Sequence, residues 1–325
     1  MKGTHSLIVQ SAHLKYELAF SRNLTVIQGN SATGKTTLVE MISAYNLNGS
    51  DTGITVSCDC PVRVIAGNTW KEQLSLIDNS IVLIDEGNRF PASEEFARAI
   101  QHTGNYYVII TRESLDNLPY SVTEIYGIRS SGKFQSAEPV YHHLERIYGQ
   151  YNPESFQPKA TLVVEDTNAG YEFFSALSAD KGILCSSAGG AGNIFQTLQE
   201  TSADDITVIA DGAAFGCQMN RIYQLMLRRP GVRLYLPESF EWLLLTSDFL
   251  RDSEVRSILD NPSAYIDSQN WFSWEQYFTA LLTGKSQNTP YAYSKKRLNP
   301  VFLKGKICEQ ILQSLPDALR VLLQR

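Results

Sequence analysis

The sequence has few cysteines, no long apolar run and no excess of positive charge, and each deficit excludes a class of protein. Five cysteines in 325 residues, an odd number scattered along a long chain, argue against a disulfide framework. No run of about 18 apolar residues occurs, which argues against a membrane-spanning helix. The net charge of −6 supplies no global positive field for nucleic acid, so any such binding must depend on a local patch.

The cysteines also give little support for a metal site. Cys58 and Cys60 form a C-x-C pair, a spacing that could ligate a metal ion, but no second pair and no histidine nearby in the sequence completes four ligands. All five cysteines are therefore interpreted as reduced thiols. The N-terminus, MKGTHSLIVQ, does not look like a signal peptide, and together these features predict a cytoplasmic protein.

The order of apolar runs and helical patterns predicts an α/β protein with two domains. Runs such as Ile81–Ile84 are continuous rather than alternating, which is typical of buried parallel strands. The length of the chain also favours two domains. We place them at residues 1–155, with a mainly parallel sheet, and 156–325, a smaller α/β domain with a helical C-terminal part. The boundary falls in YGQYNPESFQPKA, which contains two prolines and is interpreted as a linker.

A phosphate-binding motif follows the first group of predicted strands. Residues 29–36, GNSATGKT, match G-x-x-x-x-G-K-[ST], with a predicted strand directly before and a predicted helix directly after. In such a loop, backbone N–H groups and the helix N-terminus bind phosphate oxygens. Lys35 is expected to reach the β and γ phosphates and Thr36 to bind Mg²⁺. The predicted nucleotide-binding residues are Gly29, Asn30, Ser31, Ala32, Thr33, Gly34, Lys35, Thr36 and Thr37.

A second acidic element is needed for chemistry on the bound phosphates, and the run ending in Asp85 and Glu86 supplies one. Asp85 is predicted to hold Mg²⁺, and Glu86 to act as general base on the attacking water. Thr111, at the end of the next apolar run, is a candidate sensor of the γ-phosphate, with Arg112 as a charge partner. Because a guanine-specific N-K-x-D motif is absent, the motifs favour ATP with Mg²⁺.

Residues 5–130 resemble the ABC-type and SMC-like ATPases. The resemblance depends on the segment from Ser6 to Ile42, on VLIDE and on VIITR. No L-S-G-G-Q-type signature lies between the phosphate motif and Asp85, so the sequence departs from the pattern that supports the head-to-head dimer of that family. The resemblance implies ATP binding and hydrolysis.

Residues 160–245 resemble TOPRIM-like domains, the metal-dependent module of topoisomerases, primases and OLD-type nucleases. TLVVED places Glu165 at a strand end, SSAGGAGNI resembles the family's glycine-bearing loop, and VIADGAAFG places Asp211 in the D-x-D-x-x-G strand end. Ala213 stands at the second aspartate, and alanine cannot ligate a metal. The resemblance implies metal binding by Glu165 and Asp211, assisted by Glu238 or Glu241. An active nuclease, an inactive metal site and a purely structural role all remain open.

A local patch is the best candidate for nucleic-acid contact. The stretch Tyr291–Arg297 combines aromatic residues with Lys295, Lys296 and Arg297, and Arg228 with Arg229 form a smaller cluster. Combined with the resemblance to OLD-type proteins, which are linked to phage defence, the leading hypothesis is an ATPase whose nucleotide state controls a degenerate TOPRIM-like domain acting on nucleic acid or a partner protein. The alternatives are an ATP-gated nuclease and an ATP-binding scaffold that hydrolyses little; a homo-oligomer also remains possible.

Overall fold

The chain forms two compact units. A computed structural model describes residues 1–29, 33–131, 140–148 and 161–324. The first unit comprises Met1–Gln150 with Asn261–Phe272, and the second comprises Tyr151–Asp260 with Ser273–Arg325. Both units contain sheets and helices, which confirms the predicted α/β class. Among the described residues, no helix has both the length and the apolar character needed to cross a lipid bilayer.

The first unit is built on one nine-stranded sheet. Its strands are β1 His5–Gln10, β2 Leu14–Phe20, β3 Leu24–Ile27, β4 Thr55–Ser57, β5 Val62–Val64, β6 Ile81–Ile84, β7 Tyr106–Ile110, β8 Ile125–Ser131 and β9 Val140–Arg146. Their order is β4-β1-β2-β9-β8-β3-β7-β6-β5. From β8 to β5 every neighbouring pair is parallel, whereas β1 pairs antiparallel with both β2 and β4. The sheet is therefore mixed, with a parallel half.

Three helices connect strands of the first unit: α1 Lys35–Asn48, α2 Trp70–Leu74 and α3 Glu94–Ile100. Leu38 and Ile42 of α1 are fully buried against the sheet, as their spacing of four residues on one helix face requires. Ser93 is the N-terminal cap of α3, since its hydroxyl accepts a hydrogen bond from the backbone N–H of Phe96 at 3.1 Å.

The sheet of the first unit must curl strongly. Its outermost strands, β4 and β5, are joined by only residues 58–61. Five residue steps span at most about 18 Å, whereas nine strands laid flat would separate their edges by about 38 Å. The two edges therefore approach each other at the connection 58–61, which we call the seam.

A short segment from the second half of the chain belongs to the first unit. Within residues 261–272, Ser263 accepts a hydrogen bond from the backbone N–H of Gly3 at 2.6 Å. Asp267 forms an ion pair with the N-terminal ammonium group at 3.1 Å, and the carbonyl of Phe272 accepts from the Asn23 side chain at 2.8 Å. The chain thus leaves the second unit after Asp260 and returns to it at Ser273.

The second unit contains a four-stranded sheet and most of the helices. The strands are β10 Thr161–Val164, β11 Leu184–Ser187, β12 Ile206–Ile209 and β13 Val232–Tyr235. Their order is β11-β10-β12-β13, all parallel. The helices are α4 Ala169–Ala179, α5 Ile194–Glu200, α6 Gly216–Arg228, α7 Phe240–Thr246, α8 Ser253–Asp260, α9 Trp274–Ser286, α10 Gly305–Gln313 and α11 Asp317–Gln324.

Most predicted elements occur close to their expected positions. Strand β6 has the predicted bounds, and helices α8 to α11 form the helical C-terminal part that the sequence predicts. Beyond β12 the sequence suggested only helices, yet β13 follows α6 and extends the parallel sheet. The predicted linker lies mainly outside the described residues, since residues 149–160 are not among them.

Candidate functional site

The strand order gathers the predicted nucleotide-site residues at one edge of the first unit's sheet. Strand β7 lies between β3 and β6 and is parallel to both. Gly29, Thr111 and Asp85 therefore follow the carboxyl ends of three adjacent strands. The backbone N–H of Thr111 donates to the carbonyl of Ile27 at 3.1 Å, which holds it beside the strand that leads to the phosphate loop. Ligands of open α/β sheets bind at this kind of edge.

Lys35 contacts two described residues of the predicted phosphate motif. Its ammonium group donates to the carbonyl of Gly29 at 2.8 Å and to the hydroxyl of Thr33 at 3.0 Å. Lys35 is buried, and burial lowers its pKa, while the carboxylates of Glu86 and Asp85 oppose that shift. The predicted residues Asn30, Ser31 and Ala32 lie outside the described residues.

The first turn of α1 presents the remaining predicted residues of the loop. Thr36 is exposed and Thr37 is half-buried. Gly34, directly before the helix, has φ of 86°, in the left-handed region that favours glycine. A methyl group at Gly34 would lie 2.7 Å from the hydroxyl oxygen of Tyr16, so this position excludes a side chain.

The stacked rings of Tyr16 and His142, which the sequence did not indicate, lie next to Gly34. The hydroxyl of Tyr16 donates to the carbonyl of Gly34 at 2.9 Å, and its ring stacks on His142 with centroids 4.4 Å apart. Nδ1 of His142 is 2.8 Å from the hydroxyl of Ser130. Burial lowers the pKa of His142, and the charge of His143 lowers it further. Because these residues come from β2, β8 and β9, no local sequence pattern indicates their meeting.

The acidic residues after β6, Asp85 and Glu86, lie beside the residues that follow β7, and Glu86 contacts one of them. Glu86 forms an ion pair with Arg112, with Nε and Oε1 2.6 Å apart, and Asp85 accepts the backbone N–H of Glu86 at 2.8 Å. The hydroxyl of Thr111 accepts the N–H of Glu113 at 3.0 Å. Arg112 is thus the charge partner of Glu86, while the Thr111 hydroxyl makes a bond within its own turn.

An open cavity of about 420 Å³ adjoins the phosphate loop. Gln28, Gly29 and Thr33 form one side, and β8 and β9 form the other. Arg129, which lines the cavity, is paired with Glu145 of the opposite strand. A volume of this size is typical of small-molecule pockets.

In the second unit, Glu165 and Asp211 follow the ends of the adjacent parallel strands β10 and β12. The backbone N–H of Asp211 donates to Oε2 of Glu165 at 2.8 Å, and Oδ1 of Asp211 accepts the N–H of Phe240 at 3.1 Å. Burial raises the pKa of Glu165 to about 7. Burial also raises the pKa of Asp211 strongly, and Glu275 and Glu165 add to this rise. The predicted metal ligands thus lie together, with backbone donors on both.

Glu241 lies in the same group of carboxylates. It is 1% exposed, and the hydroxyl of Tyr293 donates to its Oε1 at 2.7 Å. Its Oε2 is buried and has no hydrogen-bond partner among the described residues. Glu238, the alternative candidate, is half-buried and accepts the N–H of Ala213 through its backbone carbonyl at 3.1 Å.

The group also contains a cation that sequence reasoning had assigned to nucleic acid. Lys295 forms an ion pair with Glu275 at the start of α9. Burial opposes the charge of Lys295, but Glu275, Glu241 and Asp211 outweigh it and raise its pKa. We call Glu165, Asp166, Asp211, Glu241, Glu275 and Lys295 the second-unit cluster.

The residues of the predicted basic and aromatic stretch, Tyr291–Arg297, differ in their exposure to solvent. Tyr293 is buried, whereas Lys296 and Arg297 are exposed. Of the smaller cluster, Arg229 donates to the carbonyls of Thr201 and Ala203, while Arg228 is exposed. Lys296, Arg297 and Arg228 therefore keep solvent-facing charges.

No protein-family model matches the sequence, and a search of curated proteins gives no significant match. Chemically, the first unit brings a buried ammonium group, an exposed threonine and two carboxylates to one sheet edge. The second unit gathers carboxylates near the half-buried ammonium group of Lys295. The two arrangements suit different roles.

Proposed function

We propose that the first unit binds ATP with Mg²⁺ and hydrolyses it. The strongest support is the position of β7 between β3 and β6, because it sets the phosphate loop, Arg112 and the acidic pair side by side. Three features of a hydrolytic phosphate site are then adjacent: a loop of N–H donors, a lysine and a general base. The cavity beside the loop has room for the nucleoside.

Each residue has a distinct part in this proposal. The Lys35 ammonium exchanges its bonds to Gly29 and Thr33 for bonds to phosphate oxygens. The hydroxyl of Thr36 and the carboxylate of Asp85 are hard oxygen donors, which fit Mg²⁺; the ion neutralises phosphate charge when bound. Glu86 accepts a proton from the attacking water, and Arg112 orients its carboxylate.

Two variants with matched controls test these roles in the full chain. Lys35→Ala is expected to weaken ATP binding more than 100-fold, about 3 kcal/mol or more. Glu86→Gln is expected to retain binding and to lower turnover by about 100-fold or more, the contribution of a general base. Lys71→Ala and Glu95→Gln, which remove an exposed ion pair of the same unit, are expected to change neither.

Titration calorimetry and phosphate release measure these two quantities. Equal loss of binding in Lys35→Ala and Glu86→Gln would contradict the assigned roles. Binding without turnover in the wild type would support the alternative of a non-hydrolysing scaffold.

We further propose that the second unit is a degenerate TOPRIM-like domain that does not cut nucleic acid. Glu165 and Asp211 already accept backbone N–H groups, Lys295 supplies a positive charge, and the buried Ala213 offers no ligand. This donor set fits a divalent ion poorly, so we do not expect metal-dependent cleavage at this site. Lys296 and Arg297 are its candidates for contact with nucleic acid or an acidic partner.

Cleavage assays test this second proposal. Plasmid and single-stranded DNA are incubated with the full chain and Mg²⁺ or Mn²⁺, with and without ATP. We expect no cutting under any of these conditions. Metal-dependent cutting that is lost in Glu165→Ala would establish the alternative, an ATP-gated nuclease.

We also propose that nucleotide state in the first unit controls the second. The support is the path of the chain: Asn23, just before β3, holds the carbonyl of Phe272, and the chain continues into α9, which carries Glu275. Hydrogen exchange of the peptide 274–286 in Glu86→Gln is expected to change when ATP is added. Identical exchange with and without ATP would refute this control.

A further inference from the structure

Four potential metal ligands meet at the seam of the first unit's sheet, away from the phosphate loop. The sulfur atoms of Cys58 and Cys60 are 3.6 Å apart. Nδ1 of His5 is 2.9 Å from Oδ1 of Asp59, and the same oxygen is 3.5 Å from the sulfur of Cys58. Ligand atoms of His5, Asp59 and Cys60 all lie within 4.8 Å of one another. We call these four residues the seam cluster.

Strand pairing explains how a histidine distant in sequence joins the C-x-C pair. Strands β1 and β4 are antiparallel, with Val9 opposite Val56 and Ile8 opposite Ser57. Continuing that register by three residues sets His5 opposite Cys60. No histidine lies near Cys58 and Cys60 along the chain, and the missing histidine ligand comes instead from the adjacent strand.

The donor set matches the preferences of zinc. Two thiolates, one imidazole and one carboxylate are ligands that Zn²⁺ takes in tetrahedral sites. With Zn–S bonds of about 2.3 Å, tetrahedral geometry separates two sulfur atoms by about 3.8 Å, close to the observed separation. A disulfide requires about 2.05 Å between the sulfur atoms, so Cys58 and Cys60 are not bonded to each other here. Magnesium and calcium disfavour sulfur ligands.

The surroundings suit a structural ion rather than a catalytic one. His5 packs edge-on against Tyr106 of β7, with ring centroids 5.3 Å apart, and its side chain is 13% exposed. Both cysteines are half-buried against the core of the first unit. A cation held here joins β1 to the connection between the two outermost strands.

We propose that the seam cluster of His5, Cys58, Asp59 and Cys60 binds one Zn²⁺ ion that fastens the seam of the curled sheet. Zinc binds thiolates rather than thiols, so its binding releases protons from the two cysteines. Zinc affinity therefore rises with pH. The proposal is independent of nucleotide binding, since none of the four residues belongs to the phosphate loop or the acidic pair.

Metal analysis of the purified full chain tests the proposal. After loading with Zn²⁺ and removal of excess ion, the wild type is expected to hold one zinc per chain by mass spectrometry. Replacement by Co²⁺ is expected to give tetrahedral d–d bands and a thiolate-to-cobalt charge-transfer band. Cys60→Ser and His5→Ala are expected to lower zinc affinity by more than about 100-fold, whereas Cys185→Ser, which removes a half-buried cysteine of the second unit, leaves it unchanged.

Thiol labelling of the wild type keeps the test decisive if a variant fails to fold. Cys58 and Cys60 are expected to resist alkylation in the zinc-loaded protein and to react after chelation, as located by peptide mass spectrometry. Absence of stoichiometric zinc after loading, zinc retained at full affinity in Cys60→Ser, or labelling of both thiols unaffected by chelation would each overturn the proposal.

Discussion

Acidic residues follow buried parallel strands in both units, but the two groups have opposite surroundings. In the first unit, Glu86 pairs with Arg112, whose side chain is 56% exposed, and both residues lie close enough to Lys35 to affect its pKa. In the second unit, Glu165 and Asp211 accept backbone N–H groups and share their site with Lys295. The same position at a sheet edge therefore holds an exposed ion pair beside the proposed ligand site in one unit, and a buried, crowded group of carboxyl side chains in the other.

The comparison shows that the position of an acidic residue at a strand end does not determine its function. Its function depends on which other groups of the protein it contacts. A carboxylate with buried internal partners exchanges them for an external cation at a high desolvation cost, since breaking a buried charged contact leaves a charge uncompensated. A carboxylate paired with an exposed arginine releases it more easily, because exposed ion pairs contribute little.

Among the substitutions that test this comparison, Gly34→Ala is expected to have the greatest effect, a loss of ATP affinity. The added methyl group meets the Tyr16 hydroxyl at 2.7 Å and the residue has a positive φ, so the loop must shift. We expect ATP affinity to fall by more than about 100-fold, measured by calorimetry. Gly284→Ala in α9, where a methyl group meets nothing within 4 Å, is the control. Unchanged ATP affinity in Gly34→Ala would show that the predicted phosphate loop does not bind ATP.

A smaller effect, on the free energy of unfolding, is expected when the positive charge of Lys295 in the second-unit cluster is removed. Lys295→Met leaves Glu275 without its ion-pair partner, which should lower the free energy of unfolding by about 1–3 kcal/mol after allowance for partial exposure. Lys296→Met, one residue on and exposed, should change it by less than about 0.5 kcal/mol. Urea denaturation measures both. Equal effects of the two variants would show that Lys295 does not stabilise the second-unit cluster.

The smallest expected effect depends on pH. Burial raises the pKa of Glu165 from 4.5 to about 7, so between these values the folded state binds more protons than the unfolded state. The contribution of Glu165 to stability therefore falls as pH rises through this range. Glu165→Gln should increase the free energy of unfolding at pH 8, and by a smaller amount at pH 5.5, as measured by urea denaturation at the two pH values.

Glu200→Gln is the matched control for that variant, because Glu200 is an exposed glutamate of the same unit. As a surface substitution, it should change the free energy of unfolding by less than about 0.5 kcal/mol. A stabilisation by Glu165→Gln that is equal at both pH values would contradict the raised pKa.

The sequence predicted the parallel core of both units well because its signals are local. Continuous apolar runs identified β6, β7 and β10, and the phosphate motif located the start of α1 to within a residue. These features depend on residues adjacent in the chain, where periodicity and turn chemistry act directly.

The parts that the sequence did not reveal depend on distant residues. His5 reaches Cys60 through strand pairing, and Tyr16 reaches Gly34 across the sheet. Lys295 looked like a solvent-facing charge because its partner Glu275 is 20 residues away. Each misreading follows from judging a polar side chain by its neighbours in sequence, whereas its role is set by tertiary contacts.

The segment 261–272 has a consequence for folding during synthesis. Domains usually fold in order as the chain emerges from the ribosome, but here Met1, Gly3 and Asn23 must wait for partners more than 240 residues downstream. The first unit therefore cannot complete its hydrogen bonds until most of the second has been made. A ribosome stalled at residue 200 would carry an unfinished first unit, and a nascent chain released there would be an early target for proteolysis.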